Sequence, residues 1–228
     1  MNAETYFRPL KEAFEANADS HAAELMQKYL KGQFAFYGLS SPQREVLLKK
    51  FYASQGYPPE DMLSACVRYA WQAGQREWQY TGMELAFRFA RKPDENTLML
   101  AEYMIENKSW WDTVDYIAAN IAGKALAAQP ELIPVFAGQW IDSENIWLKR
   151  SALLFQLKYK KATDVDLLFG YIMKCNTMRE FFIRKAIGWA LREYSKTDPE
   201  TVQAFSDSHD LSPLSRKEAL KIISKRLN

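Results

Sequence analysis

Helix-start signals recur along this chain at a nearly constant interval, and that interval restricts the fold more than any other feature. Cap-forming residues or first-turn prolines stand at Asp19 and Ser20, Ser41 with Pro42, Pro58 and Pro59, Asp94, Ser109, Pro130, Ser143, Asp164, Thr177, Asp198 with Pro199, and Ser212 with Pro213. Such residues satisfy the orphan N–H groups of a first helical turn, or carry none. Gly32, Gly56 and Gly74 read as stops. Between these marks apolar residues step by three and four, as in Leu153, Leu154 and Leu157, and no clean strand alternation is found. The chain therefore reads as all-α, with about twelve or thirteen helices.

Every second start falls near 42, 75, 109, 143, 177 and 213, a period close to 34 residues. Trp78, Trp111, Trp147 and Phe181 echo it near successive starts. A helix pair cannot bury its apolar face alone, so neighbouring pairs stack into a solenoid whose small rotation per repeat leaves a concave surface. The interval equals that of tetratricopeptide repeats, but their Trp, Leu-Gly and Tyr pattern is missing, so irregular HEAT-like pairs suit the chain better. The expectation is one α-α superhelix over residues 1–228 with a basic concave groove.

No uncharged stretch approaches the roughly 18 apolar residues of a membrane span, and Glu4, Arg8 and Lys11 come too early for a signal peptide. Only two cysteines, Cys66 and Cys175, and two histidines, His21 and His209, are present and all are scattered. A disulfide framework, a metal site and a Ser-His-Asp arrangement are not expected, nor is any cofactor, because no glycine-rich phosphate loop occurs. A reducing cytoplasm is the expected compartment.

Net charge is only +2, yet it is unevenly placed. Between Asn145 and Lys196 lie eleven basic residues against four acidic ones. This concentration is the footprint of a polyanion partner, though a solvated lysine-rich surface has the same composition.

Three segments carry candidate chemistry. In Lys108-Ser109-Trp110-Trp111-Asp112-Thr113-Val114-Asp115, Ser109 and Asp112 resemble a capping box. Trp111 and Asp115, four apart, place an indole beside a carboxylate on one helical face. A packed tryptophan next to a surface aspartate would have the same spacing. In Asn145-Ile146-Trp147-Leu148-Lys149-Arg150 and the following Leu154-Phe155-Gln156-Leu157-Lys158-Tyr159-Lys160, Arg150 and Lys158 are candidate phosphate contacts. In the segment from Glu180 to Tyr194, Lys185, Trp189 and Arg192 share a face, so an aromatic surface is flanked by cations, and Lys185 and Arg192 are candidate DNA contacts. Gly188, within the same helix, costs about 1 kcal/mol relative to alanine and implies a close approach, by a ligand or by another helix.

These blocks, continued by Lys196-Thr197 and Leu214-Ser215-Arg216, resemble the AlkD family of DNA glycosylases, which are built from HEAT-like repeats and excise alkylated purines. A looser likeness extends to Tyr29 and Ser41-Pro42-Gln43-Arg44. The resemblance implies that Asp115 is the catalytic carboxylate, Trp111 and Trp189 two groove tryptophans, and Arg150 a basic residue supporting the cleft. It further implies DNA contacts by Tyr29, Arg44, Lys158 and Arg192, a duplex with alkylated bases as partner, and tolerance of bulky adducts. A monomer is expected. Glu45 departs from the family pattern, which has a second basic residue after Arg44, and puts the N-terminal DNA contact in doubt. Apart from excision, the residues also suit a non-catalytic binder of damaged or branched DNA, or a protein-interaction scaffold.

Overall fold

A computed structural model describes residues 2–90 and 93–227. The expected punctuation becomes fifteen α-helical segments among them, with no strand. The chain divides into two compact units, Met1–Arg91 and Lys92–Asn228.

The first unit contains α1 (Ala3–Ala16), α2 (Ser20–Tyr29), α3 (Ser41–Gln55), α4 (Glu60–Gln72) and α5 (Arg76–Phe89). Tyr6, Phe7, Leu10 and Phe14 recur at three and four along α1 and are all buried, and the rings of Tyr6, Phe7 and Phe14 pack on Phe51 of α3 and Trp78 of α5. The Glu77 carboxylate, 0% exposed, accepts the backbone N–H groups of Tyr37, Gly38 and Leu39 and so fastens the loop before α3. Gly38 is required there: its φ is +89°, and a Cβ would stand 2.1 Å from the Asp19 carbonyl oxygen.

The second unit contains α6 (Glu95–Glu106), α7 (Trp111–Tyr116), a π-helical stretch (Ile117–Ala122) and α8 (Gly123–Ala128), the last three forming one rod. It continues with α9 (Ala137–Asp142), α10 (Ile146–Leu154) and a 3₁₀ turn (Phe155–Lys158). Then come α11 (Val165–Cys175), α12 (Phe181–Tyr194), α13 (Pro199–Ser208), α14 (Pro213–Ala219) and α15 (Lys221–Leu227). Helix α10 is the hub: it packs on α6, α7, α9, α11 and α12 and buries Leu148, Ala152, Leu153 and Leu154.

The repeat is more regular than the cap residues suggested. Helices α3, α5, α7, α10 and α12 start at Ser41, Arg76, Trp111, Ile146 and Phe181, 35 residues apart each time, and α14 follows at Pro213. Asp19, Asp94, Asp164, Asp198 and Ser212 do cap their helices through side-chain oxygens. Ser109 and Ser143 instead serve the ends of the preceding helices. The Ser109 hydroxyl donates to the Ile105 carbonyl at 2.5 Å, Ser143 is the C-cap of α9, and the true N-caps are Trp110 and Asn145. The capping box expected from Ser109 and Asp112 does not form; Asp112 lies in the first turn of α7, where its charge favours the helix dipole. Nor do the four aromatic residues of the echo share one environment, since Trp78 is buried and Phe181 is exposed.

The close approach implied by Gly188 is a helix. A Cβ at that position would lie 2.6 Å from Cβ of Glu218 and 2.8 Å from the Ser215 carbonyl oxygen, both on α14. Gly188→Ala is accordingly expected to lower stability by about 1–3 kcal/mol despite alanine's better helix propensity, through overpacking of α12 on α14. Urea denaturation measures this, and an unchanged midpoint would contradict the close packing.

Candidate active site

The second unit carries a cleft of about 410 Å³ whose lining includes Trp111, Asp115, Asn120, Lys158, Trp189 and Glu193. Four elements contribute. Helix α7 places Trp111 and Asp115 at an i, i+4 spacing, the π-helical stretch supplies Asn120, α12 supplies Trp189, and the 3₁₀ turn after α10 supplies Lys158. Both indoles are half-buried.

Behind the cleft, Arg150 of α10 grips Asp115 as a fork. Its Nε donates to Oδ1 at 2.6 Å and its Nη2 to Oδ2 at 2.8 Å, the bidentate geometry that gives a guanidinium both strength and direction. Nη1 donates to the Phe182 carbonyl of α12, so one side chain joins three helices. The Arg150 ring-like plane also lies near the Phe182 ring, 5.8 Å from its centroid, beside a cluster of Trp110, Trp147 and Phe182 with centroids 5.0–5.5 Å apart. The Asp115 side chain keeps 15% of its surface exposed. Burial raises its pKa above the ordinary carboxylate range; the Arg150 fork pulls the other way, and nearby Asp112 adds to the rise.

Other residues singled out in the sequence are placed differently. Arg150 is only 4% exposed and spends its fork on Asp115, so it supports the carboxylate and does not reach a phosphate. Lys185 and Arg192 do not line the cleft beside Trp189; both turn to Glu218 on α14, Lys185 at 2.7 Å. Arg44, expected to touch DNA, is 6% exposed, pairs with Glu84 at 2.6 Å and lies over the Tyr80 ring. Tyr29 ends α2 and is 69% exposed. Both Arg44 and Tyr29 belong to the first unit.

Asn120 and Glu193 escaped the sequence reading. Asn120 is buried, its Nδ2 donates to the Tyr116 carbonyl at 2.9 Å, and its Oδ1 accepts from Lys158 Nζ at 2.5 Å. No sequence signal marks it, because ordinary helical spacing turns position 120 away from position 115. Glu193 sits one residue after the noted Arg192 and pairs with Lys196 at 2.5 Å. Among the described residues no group of three or more His, Cys, Asp or Glu is arranged to hold a metal ion, and no helix is long and apolar enough to cross a membrane. The two cysteines are buried and unbridged, with burial pushing the Cys66 thiol up to about 11.

The model of the DNA alkylation repair enzyme family matches residues 10–223. Among solved structures, a predicted DNA alkylation repair enzyme from Enterococcus faecalis is 34% identical with a TM-score of 0.84, over 91% of this chain and 97% of that one. The crystal structure of smu.31 from Streptococcus mutans UA159, 17% identical, has a TM-score of 0.59 over 88% of this chain and 96% of that one, a likeness of fold alone. No curated protein matches the chain. With nearly its whole length under one family model and a relative of the same description superposing along it, the chain belongs to the family of DNA alkylation repair enzymes.

Proposed function

We propose that this protein is a monofunctional DNA glycosylase that hydrolyses the N-glycosidic bond of cationic N3- and N7-alkylated purines in duplex DNA and leaves an abasic site. The observation that carries the reading is the Asp115 carboxylate, seated in a cleft with Trp111 and Trp189 and aligned from behind by Arg150.

The chemistry asks little more of the protein. An N3- or N7-alkylpurine already bears a positive charge. When its bond to C1′ breaks, the electron pair goes to the base, which departs neutral and needs no general acid. The sugar acquires oxocarbenium character, which a preorganised carboxylate stabilises. Water then adds to C1′ and gives up a proton, for which Asp115 is the adjacent base. Its raised pKa makes it a better proton acceptor than an ordinary aspartate, and sets the sign of the pH dependence: excision falls as pH drops through that raised value and the carboxylate is neutralised. The Trp111 and Trp189 faces hold the deoxyribose and attract the cation, worth about 0.5–2 kcal/mol for a well-placed pair. No lysine is required as a Schiff-base nucleophile, so the backbone is left unbroken.

The test is a duplex with one 7-methylguanine. Free base and a site cleaved only on alkaline treatment are expected. Binding without base release would favour the non-catalytic reading and overturn this one.

A further inference from the structure

Five cations were expected to meet DNA, and the structure separates them by what holds each one. Arg44 is paired with Glu84, Arg150 with Asp115, and Lys185 and Arg192 share Glu218. Each of those cations contacts a carboxylate, although Lys185 and Arg192 share the single charge of Glu218. Lys158 is held by a neutral group, the side-chain amide of Asn120, and both residues line the cleft with Asp115.

We propose that Asn120 is a positioning residue that aims Lys158 into the cleft without neutralising it, making Lys158 the principal electrostatic anchor for the DNA backbone beside Asp115. The proposal rests on the reading of this cleft as the DNA site. It explains the π-helical stretch. In a regular α-helix residues five apart point about 140° away from each other, which would turn position 120 away from the face of Asp115. The i→i+5 turns of Ile117–Ala122 widen the rod where Asn120 enters the cleft, and such interruptions concentrate at functional sites. The rod also fixes the height of Lys158. Tyr159 donates to the Gly123 carbonyl at 2.5 Å, and a Cβ on Gly123 would stand 2.3 Å from the Phe155 carbonyl oxygen. The 3₁₀ turn bearing Lys158 is thereby clamped to the rod. An ammonium has three N–H donors; with one given to Asn120, two remain for phosphate oxygens.

The experiment measures the affinity of the full chain for a duplex bearing a tetrahydrofuran abasic analogue, as a function of salt. Lys158→Met is expected to weaken binding about tenfold and to reduce the slope of log affinity against log salt by about 0.9, one phosphate contact. Asn120→Asp keeps the acceptor but supplies a neutralising charge, and is expected to reproduce both effects while the thermal midpoint stays at the wild-type value. Combined with Lys158→Met it should add nothing further to the loss of slope. A merely structural role predicts the reverse, with Asn120→Asp binding like wild type because the hydrogen bond survives; that result overturns the proposal, as does wild-type binding that does not depend on salt. If Asn120→Asp lowers the thermal midpoint, Asn120→Ala in the Lys158→Met background decides: equal further loss of affinity with and without Lys158 overturns the proposal. Base release plays no part in these readings, so a chain that binds in this pattern yet frees no 7-methylguanine overturns the glycosylase reading alone.

Discussion

Asp115→Asn is expected to slow release of 7-methylguanine by about 10²–10³-fold, the usual loss when one preorganised electrostatic group is removed from a transition state. Asparagine has the same outline but accepts only one N–H of Arg150 and leaves that buried guanidinium without its counter-charge, so the variant should also lose stability, and rates are compared below its thermal midpoint. What disappears, in the mechanism proposed above, is the charge that stabilises C1′ and the base that takes the proton from water. Single-turnover excision measures the chemical step directly. Affinity for the abasic-analogue duplex should remain within a few-fold of wild type, since the carboxylate interacts most strongly with charge that develops only during bond breaking. Equal rates for wild type and variant would remove Asp115 from the mechanism.

Arg150→Gln should produce the second large effect, and its pH dependence distinguishes it from simple loss of packing. The Arg150 fork is nearly fully buried. Breaking such a pair from one side costs about 3–5 kcal/mol, because the partner charge is left without compensation. Asp115 already titrates above its unfolded-state range of about 3.9. A folded-state pKa above the unfolded one means that the native chain holds the proton more tightly, so the stabilisation from this group is complete below the unfolded value and is lost as pH rises through the folded one. Without Arg150 the folded value moves higher still. The variant should therefore lie nearest to wild-type stability at acid pH, below the raised value, and fall progressively below it toward neutrality. Its excision should require a more alkaline pH as well. Thermal unfolding and single-turnover rates across this range test both statements. A stability deficit that does not vary with pH would mean that Arg150 acts through its bulk and not its charge.

Much of this site was legible in the sequence because the helix is a reliable ruler. Trp111 and Asp115, one turn apart, emerge into the same cleft, and the four-residue rule is enough to see it. Repetition of helix pairs was equally readable, and the late starts of α7 and α10 relative to the cap residues have a physical cause: Ser109 and Ser143 are good caps by type, but they finish one helix instead of starting the next. Two things were not legible. Neither charge nor resemblance reports burial, so Arg150 by its charge and Arg44 by resemblance read as contacts for a polyanion although each is enclosed against a carboxylate; Arg76 and Glu77, both 0% exposed, would pass for surface residues on the grounds of charge. And the ruler fails where the helix itself changes pitch, which hides Asn120.

The guanidinium of Arg150 starts on α10, takes the carboxylate of α7 and donates to the backbone of α12. Those helices open three consecutive 35-residue repeats. The proposed reactivity is consequently a property of the stack and not of any one repeat: a partly frayed second unit would leave the aspartate exposed and unaligned. If Asp115 is the catalytic carboxylate proposed above, competence is tied to cooperative assembly of the second unit, and an incompletely folded chain would not act on DNA.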